Sequence, residues 1–300
     1  MPVKVSYFFV VLIWSTTPLG IVWSSDSIPP TMSVFLRMLI ALVLGAFVMA
    51  IANIRLPWHG RAIKLYAYSA LGIYGGMMLS YFAAQSVPSG VISLVFGLAP
   101  ILSGLLAQRI LNEAKFSKVK VIALMLSVCG LALVCKDQLA GGSVFNVGLL
   151  CVLAAVCFFS LSGVMVKTVK LAIHPMATTF GALIIATPLF FITWLLVDGT
   201  FAPSGWSHRA IASILYLGVF GSLLGFLAYF HVLQKLEAST VALITLITPG
   251  FAIALGTLLN NEPLSLSLII GAVIIVTGLG LFQFGDKLLK SKKRSALRYD

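Results

Sequence analysis

Acidic residues are scarce in this chain of 300: eight Asp and Glu stand against 20 Lys and Arg. Charged residues make up 9% of the sequence, where a water-facing globular domain carries about 25%. That shortage leaves too little polar surface to face water and excludes an ordinary soluble domain. The acids (Asp26, Glu113, Asp137, Asp198, Glu237, Glu262, Asp286 and Asp300) all lie at the ends of apolar runs or between them. The absence of a mid-run carboxylate argues against a pump that relays protons through a buried acid. No Ser/His/Asp set, HExxH or glycine-rich phosphate loop occurs, so neither catalysis nor a cofactor nor a metal is expected. The four cysteines (Cys129, Cys135, Cys151 and Cys157) fall in two apolar runs with no ligand-like His or acid beside them. They read as apolar filler rather than a metal site or disulfides.

What the chain has in quantity is apolar sequence, 60% hydrophobic with a mean hydropathy of +1.09. A hydrocarbon core takes about 20 apolar residues of helix. Ten candidate spans follow: 5–23, 30–53, 64–86, 89–111, 118–135, 147–166, 175–197, 210–234, 238–260 and 264–285. Pro88 marks the join of spans 3 and 4, and "QKLEAS" that of spans 8 and 9. The first run is followed by nothing like a small-residue cleavage site and reads as a retained helix rather than a signal peptide.

The formal charge of +12 invites a nucleic-acid reading. The placement of the basic residues argues against it. With the N-terminus inside, seventeen of the twenty Lys and Arg fall on the inner side, Lys136 and Arg209 fall outside, and Arg37 lies within span 2. This is the positive-inside pattern, and it predicts ten helices with both termini cytoplasmic. The basic tail from about residue 286 reads as a topology anchor near anionic headgroups rather than a signalling patch.

Two phrases repeat. "LAPILSGLLAQRILNE" ends span 4 and "ITPGFAIALGTLLNNE" ends span 9; Pro100, Asn112 and Glu113 recur 149 residues later as Pro249, Asn261 and Glu262. "LGIYG" at 71–75 meets "LGVFG" at 217–221 in the same order. The chain therefore divides into a first repeat over 1–140 and a second over 141–300, each of five helices. Five is odd, so the second enters the membrane from the opposite side. Inverted repeats place a substrate site near the midplane between the halves, where rocking gives alternating access.

Ten helices in two inverted halves, the "P…NE" phrase and "IWSTTPLG" in span 1 resemble the drug/metabolite transporter superfamily, EamA type. The resemblance implies a basket of helices around a central cavity, with spans 3–4 and 8–9 as gating hairpins and spans 5 and 10 at the rear.

Pro100 and Pro249 lie near the middle of their spans. Proline removes one helical hydrogen bond, which supplies either a hinge or a static kink. The Asn-Glu pairs read as marks of helix ends, each glutamate near the start of the helix that follows it. Arg37 lies seven residues into span 2, roughly 10 Å deep at the helical rise. It either snorkels to the outer surface or meets an anionic group of a substrate. The candidate cavity residues are Trp14, Ser15 and Thr17; Tyr74, Tyr81 and Gln85; Phe159, Ser160 and Ser162; Tyr229 and His231; and Thr245 and Thr248. Each of them is also able to bond between helices instead. The glycines Gly72, Gly75, Gly76, Gly218, Gly221 and Gly225 read as close helix packing.

These features predict a secondary transporter in a plasma membrane, the inner membrane of a bacterium, exporting small amphipathic metabolites such as amino acids or drug-like compounds. Its expected partners are that substrate and the lipid bilayer, with no nucleic acid and with self-association left open. A channel is the alternative, although no charged ring or carbonyl filter is visible.

Overall fold

The computed structural model describes residues 2–139, 143–236 and 244–296, with side chains left undescribed at 137–139, 143–146 and 287–296. The start of span 9, the second half of "QKLEAS" and the basic side chains of the tail lie outside the described residues.

No strand occurs among the described residues. The helices are α1 (Val3–Ser24), α2 (Pro30–Ile51), α3 (Gly60–Ala83), α4 (Ser89–Phe96), α5 (Ala99–Ile110), α6 (Lys118–Leu139), α7 (Ser143–Thr168), α8 (Pro175–Val197), α9 (His208–Tyr216), α10 (Gly225–Lys235), α11 (Ile244–Asn260) and α12 (Leu266–Ala296). A π-helical stretch, Leu217–Leu224, joins α9 to α10. Prolines begin several of them: Pro30 and Pro175 sit in the first turn of α2 and α8, where the missing N–H costs nothing.

Two of the expected spans depart from a regular helix. Span 4 is broken in two at Gly97–Leu98, with Pro100 in the first turn of α5. Span 8 changes winding over 217–224. Pro249, by contrast, lies inside a continuous α11, so the two matched prolines do different things to the backbone. Among the described residues, eight helical stretches have the length and hydropathy to cross a membrane, counting Ser89–Ile110 and His208–Lys235 as one each. Ile244–Asn260 is apolar but shorter. α3 has the length, and its tyrosines, serines and glycines dilute its apolar residues.

The Asn-Glu phrases end helices by one geometry. Asn112 (φ 53°) and Asn261 (φ 51°) take the left-handed conformation that asparagine tolerates better than most residues. The amide of the following glutamate then turns back to the carbonyl six residues earlier, Glu113 to Ala107 at 3.3 Å and Glu262 to Gly256 at 3.1 Å. The next helices are capped by other residues. Ser117 Oγ accepts from Lys120 N at 3.2 Å, and Ser265 Oγ from Leu268 N at 3.1 Å.

Helices from the two halves interleave. α3 packs on α7 as α1 packs on α10; α5 packs on α7 as α1 packs on α11; α2 pairs with α8 and α6 with α12. Hydrophobic burial drives little of this in lipid, so close packing must. The α6–α12 seam shows how: a Cβ on Gly130 would lie 2.9 Å from the Gly271 carbonyl, and one on Gly278 3.0 Å from the Ala123 carbonyl. Gly72 and Gly75 likewise admit Ser162 and Phe158 of α7. Hydroxyls inside the bundle bond to their own backbone four residues back, as at Ser15, Thr17, Ser69, Ser80 and Ser127. Apolar side chains such as Phe8, Ile51, Leu196 and Leu258 are left on the outside.

Replacing Gly271 by leucine drives a side chain into the Gly130 backbone, and such overpacking costs about 1–3 kcal/mol. The Gly271→Leu chain should melt at a lower temperature in detergent. Gly280→Leu, where a Cβ meets nothing within 4 Å, should melt with the parent.

Candidate functional site

α1 packs against α4, α9, α10 and α11. Trp14 faces Phe159 of α7 at 5.5 Å between ring centroids and Tyr229 of α10 at 5.2 Å; Phe159 and Tyr229 stand 5.4 Å apart. These three rings, with Phe96 against Phe159 at 6.1 Å, form a layer between two chambers. The larger, about 240 Å³, is lined by Trp14, Pro100, Ser103, Phe159, Tyr229 and Thr245, and reaches Glu113, Lys120 and Lys167 at one end of the bundle. The smaller, about 70 Å³, continues from Trp14, Phe159 and Thr245 to Thr17, Ser80, Ser93, Gly221 and Thr248.

Hydrogen bonds bridge the end of the bundle beyond the smaller chamber. Glu262 Oε2 accepts from Ser89 Oγ at 2.9 Å and from Gly90 N at 3.4 Å, so it sits at the start of α4 rather than of the helix that follows it. Its other oxygen accepts from Asn260 Nδ2 at 3.2 Å, and Asn260 Oδ1 accepts from Trp23 Nε1 at 2.9 Å. This chain of bonds joins α1, α4 and α11. Beside it, Arg209 pairs with Asp26 at 2.6 Å and lies over the Trp23 ring. Asp198 accepts a hydrogen bond from Thr31, which ties α2 to α8. At the opposite end Glu113 is exposed.

The sequence-derived candidates separate into two groups. Trp14, Thr17, Phe159, Tyr229, Thr245, Thr248 and Pro100 line the chambers. The others do not. Ser15 bonds to its own helix. Tyr74 bonds Thr193 on α8 at 2.7 Å. Tyr81 is buried beneath Arg37, and Gln85 is exposed. Ser160 and Ser162 bond to the carbonyls of Ala99 and Tyr68 on neighbouring helices. His231 bonds Ser6 at 2.7 Å. Pro249 is buried within α11 outside both chambers. Arg37 is fully buried, so it reaches no surface, and it lines neither chamber.

Sequence reasoning missed Ser93, Ser103, Lys167 and Gln283 as lining residues, and the rear helices α6 and α12 supply Lys120 and Phe282 to the larger chamber. It also missed the partner of Glu262. The signal was present in Pro88-Ser89-Gly90, a helix start with an N–H and a hydroxyl to offer.

Gly97, at the break between α4 and α5, faces α11: a Cβ there would lie 3.5 Å from the Thr245 carbonyl. That carbonyl is the one Pro249 has no N–H to meet. The irregular points of the two proline segments therefore lie against each other beside the chambers.

Residues 5–136 and, separately, residues 146–283 match the EamA-like transporter family. A transporter from Archaeoglobus fulgidus, named as uncharacterized, is 27% identical over 90% of this chain and 94% of its own length. Protein PecM of Dickeya dadantii is 26% identical over 98% of this chain and 96% of its own. A probable amino-acid metabolite efflux pump of Escherichia coli K12 is 25% identical over 95% of each. One solved crystal structure superposes with a TM-score of 0.71 over 96% of this chain and 98% of its own at 18% identity, a likeness of fold alone.

In a background freed of the four native cysteines, Ser103→Cys should react readily with a polar thiol reagent and Ser93→Cys should be protected. Adding Glu262→Ala removes charge-assisted bonds worth about 1.5–3 kcal/mol each. It should raise labelling of Ser93→Cys about tenfold. Labelling at 93 as fast as at 103 in the parent would show that the smaller chamber is not closed.

Proposed function

We propose that this chain, which belongs to the EamA-like transporter family, is a secondary transporter that exports a small amphipathic metabolite by alternating access. Ten helices cross the inner membrane of a bacterium with both termini in the cytoplasm. Residues 1–140 and 141–300 are inverted five-helix repeats. Three findings support that duplication: the family matches each half separately, helix pairs swap between halves, and both Asn-Glu phrases end helices by one geometry.

The observation that carries the mechanism is the pair of unequal chambers on either side of the Trp14–Phe159–Tyr229 layer, with the Glu262 bonds bridging the end beyond the smaller one. The state is inward-open. The larger chamber admits substrate past Glu113, Lys120 and Lys167 from the cytoplasmic side, where basic residues concentrate. Aromatic faces and hydroxyls receive a molecule that is apolar at one end and polar at the other. Release requires the bonds from Glu262 to Ser89 and Gly90 to part while the inner end closes. Each hydrogen bond to the carboxylate contributes about 1.5–3 kcal/mol, so the tie is strong enough to hold one state and weak enough to exchange it. Pro100 and the adjacent break at Gly97–Leu98 give α4 and α5 separate freedom to tilt. The Escherichia coli relative, named as a probable amino-acid metabolite efflux pump, supports both the direction and the substrate class.

Reconstituted in proteoliposomes, the chain should show saturable uptake and accelerated exchange of labelled amino acids when the lumen holds unlabelled ones. Trp14→Ala should cut exchange by at least about tenfold, the effect of removing one good aromatic contact of about 1.4 kcal/mol, while the protein stays folded. Ohmic currents without saturation or exchange would instead assign a channel.

A further inference from the structure

The Arg37 guanidinium has an uncommon environment. The residue is 0% exposed. Its Nε donates to Ser222 Oγ at 2.9 Å, and its Cζ lies 5.8 Å from the centre of the Tyr81 ring. Nη1 and Nη2 are both buried and have no hydrogen-bond partner among the described residues. Arginine keeps its charge at any physiological pH. A buried charge without a counter-ion is destabilising, and positions of this kind in membrane proteins serve function. The single ion pair among the described residues, Arg209 with Asp26, leaves Arg37 without one.

Its place supplies the reason. Gly221 lines the smaller chamber, and a Cβ on Gly221 would come 2.9 Å from Arg37 Nη2. The guanidinium thus stands against the outside of the chamber wall at a residue with no side chain to screen it. That wall belongs to the π-helical stretch Leu217–Leu224, which packs on α2. π-helical winding is rare and concentrates at functional sites. No Lys or Arg lines the chamber itself among the described residues, so Arg37 behind its wall offers it one positive charge, which suits a monoanion.

We infer that Arg37 is the substrate's anion-binding residue: when the tied end opens, Nη1 and Nη2 take the two oxygens of a carboxylate whose apolar body rests on Trp14 and Phe159. The inference rests on the transport reading and narrows its substrates to small amphipathic monocarboxylates, because the planar fork matches a carboxylate and repels organic cations.

The test is thermal shift of the purified full chain with matched pairs: L-phenylalanine, L-leucine and 3-phenylpropionate, each against its carboxamide. The parent should bind at least one carboxylate about tenfold more tightly than its amide, the discrimination a single bidentate contact gives. Arg37→Gln should abolish that preference without lowering the melting temperature of the unliganded protein. Arg37→Lys, which keeps the charge and loses the fork, should retain part of it. Gly221→Ala, whose Cβ would crowd Nη2 and push the guanidinium back from the wall, should weaken it severalfold, so the outcome does not hang on one variant folding. Absence of any carboxylate preference in the parent, or one that survives both Arg37→Gln and Gly221→Ala, overturns the inference. So does Arg37-dependent stabilisation by inorganic phosphate, or by phosphatidylglycerol added to the micelles, without a carboxylate effect; these arms would assign the guanidinium to a free phosphate or to a lipid headgroup. Saturable exchange in proteoliposomes that ignores the carboxylate sinks this inference and leaves the transport reading standing. Failure of all exchange sinks the transport reading, and the binding preference in detergent is then judged separately.

Discussion

A backbone inside hydrocarbon has no water to bond with, so each N–H and C=O must be satisfied by the chain itself. The rest of this structure depends on that constraint. It makes every described element helical and turns serines and threonines back onto carbonyls of their own helices. It also tolerates irregular backbone only where protein or a cavity surrounds it. The two irregular stretches obey this rule. Phe96 and Ala99, flanking the break at Gly97–Leu98, line the chambers, and so does Gly221 of the π-helical stretch. The backbone is least regular where the molecule is hollow.

The two halves share parts without sharing a state. Asn112 and Asn261 end their helices alike, and Ser117 and Ser265 cap the next ones alike. Yet Pro100 follows a break and Pro249 lies in an unbroken helix, and Glu262 is bonded across the halves while Glu113 is exposed. Equivalent sequence is held in inequivalent conformations, which is what the proposed alternating access requires. What distinguishes the halves here is which set of contacts is made, and those contacts are few, polar and at the bundle ends.

Apolar runs near 20 residues with prolines at their starts placed the helices in the sequence, because in a membrane that pattern has one stable outcome. The faces of those helices were harder to read. Tyr74 and Tyr81 share one side of α3, as inferred, but that side meets α8 and Arg37, and Gln85 lies exposed in the turn beyond the helix end; Met77 and Ser80, on the adjacent side, line the smaller chamber. Periodicity gives a stripe and leaves open which neighbour it meets. The same holds for Glu262. Its position at a helix start followed from general electrostatics, while the choice of α4 over α12 is a tertiary fact written in residues 173 positions away. The broken span 4 shows the third limit. Proline alone did not tell a break from a tolerated kink, since Pro18, Pro188 and Pro249 all lie in continuous helices.

The π-helical stretch has a consequence for how motion passes along its span. Wide winding takes up more residues per turn than an α-helix does, so Leu217–Leu224 holds a surplus of register relative to regular α-geometry. Taking one residue of that surplus back into an α-helix would rotate everything beyond it by about 100° and advance it by about 1.5 Å. What lies beyond is α10 with Tyr229, one ring of the aromatic layer. A change of winding beside Arg37 would therefore turn Tyr229, and a small local event at the chamber wall would become a large rotation in the aromatic layer.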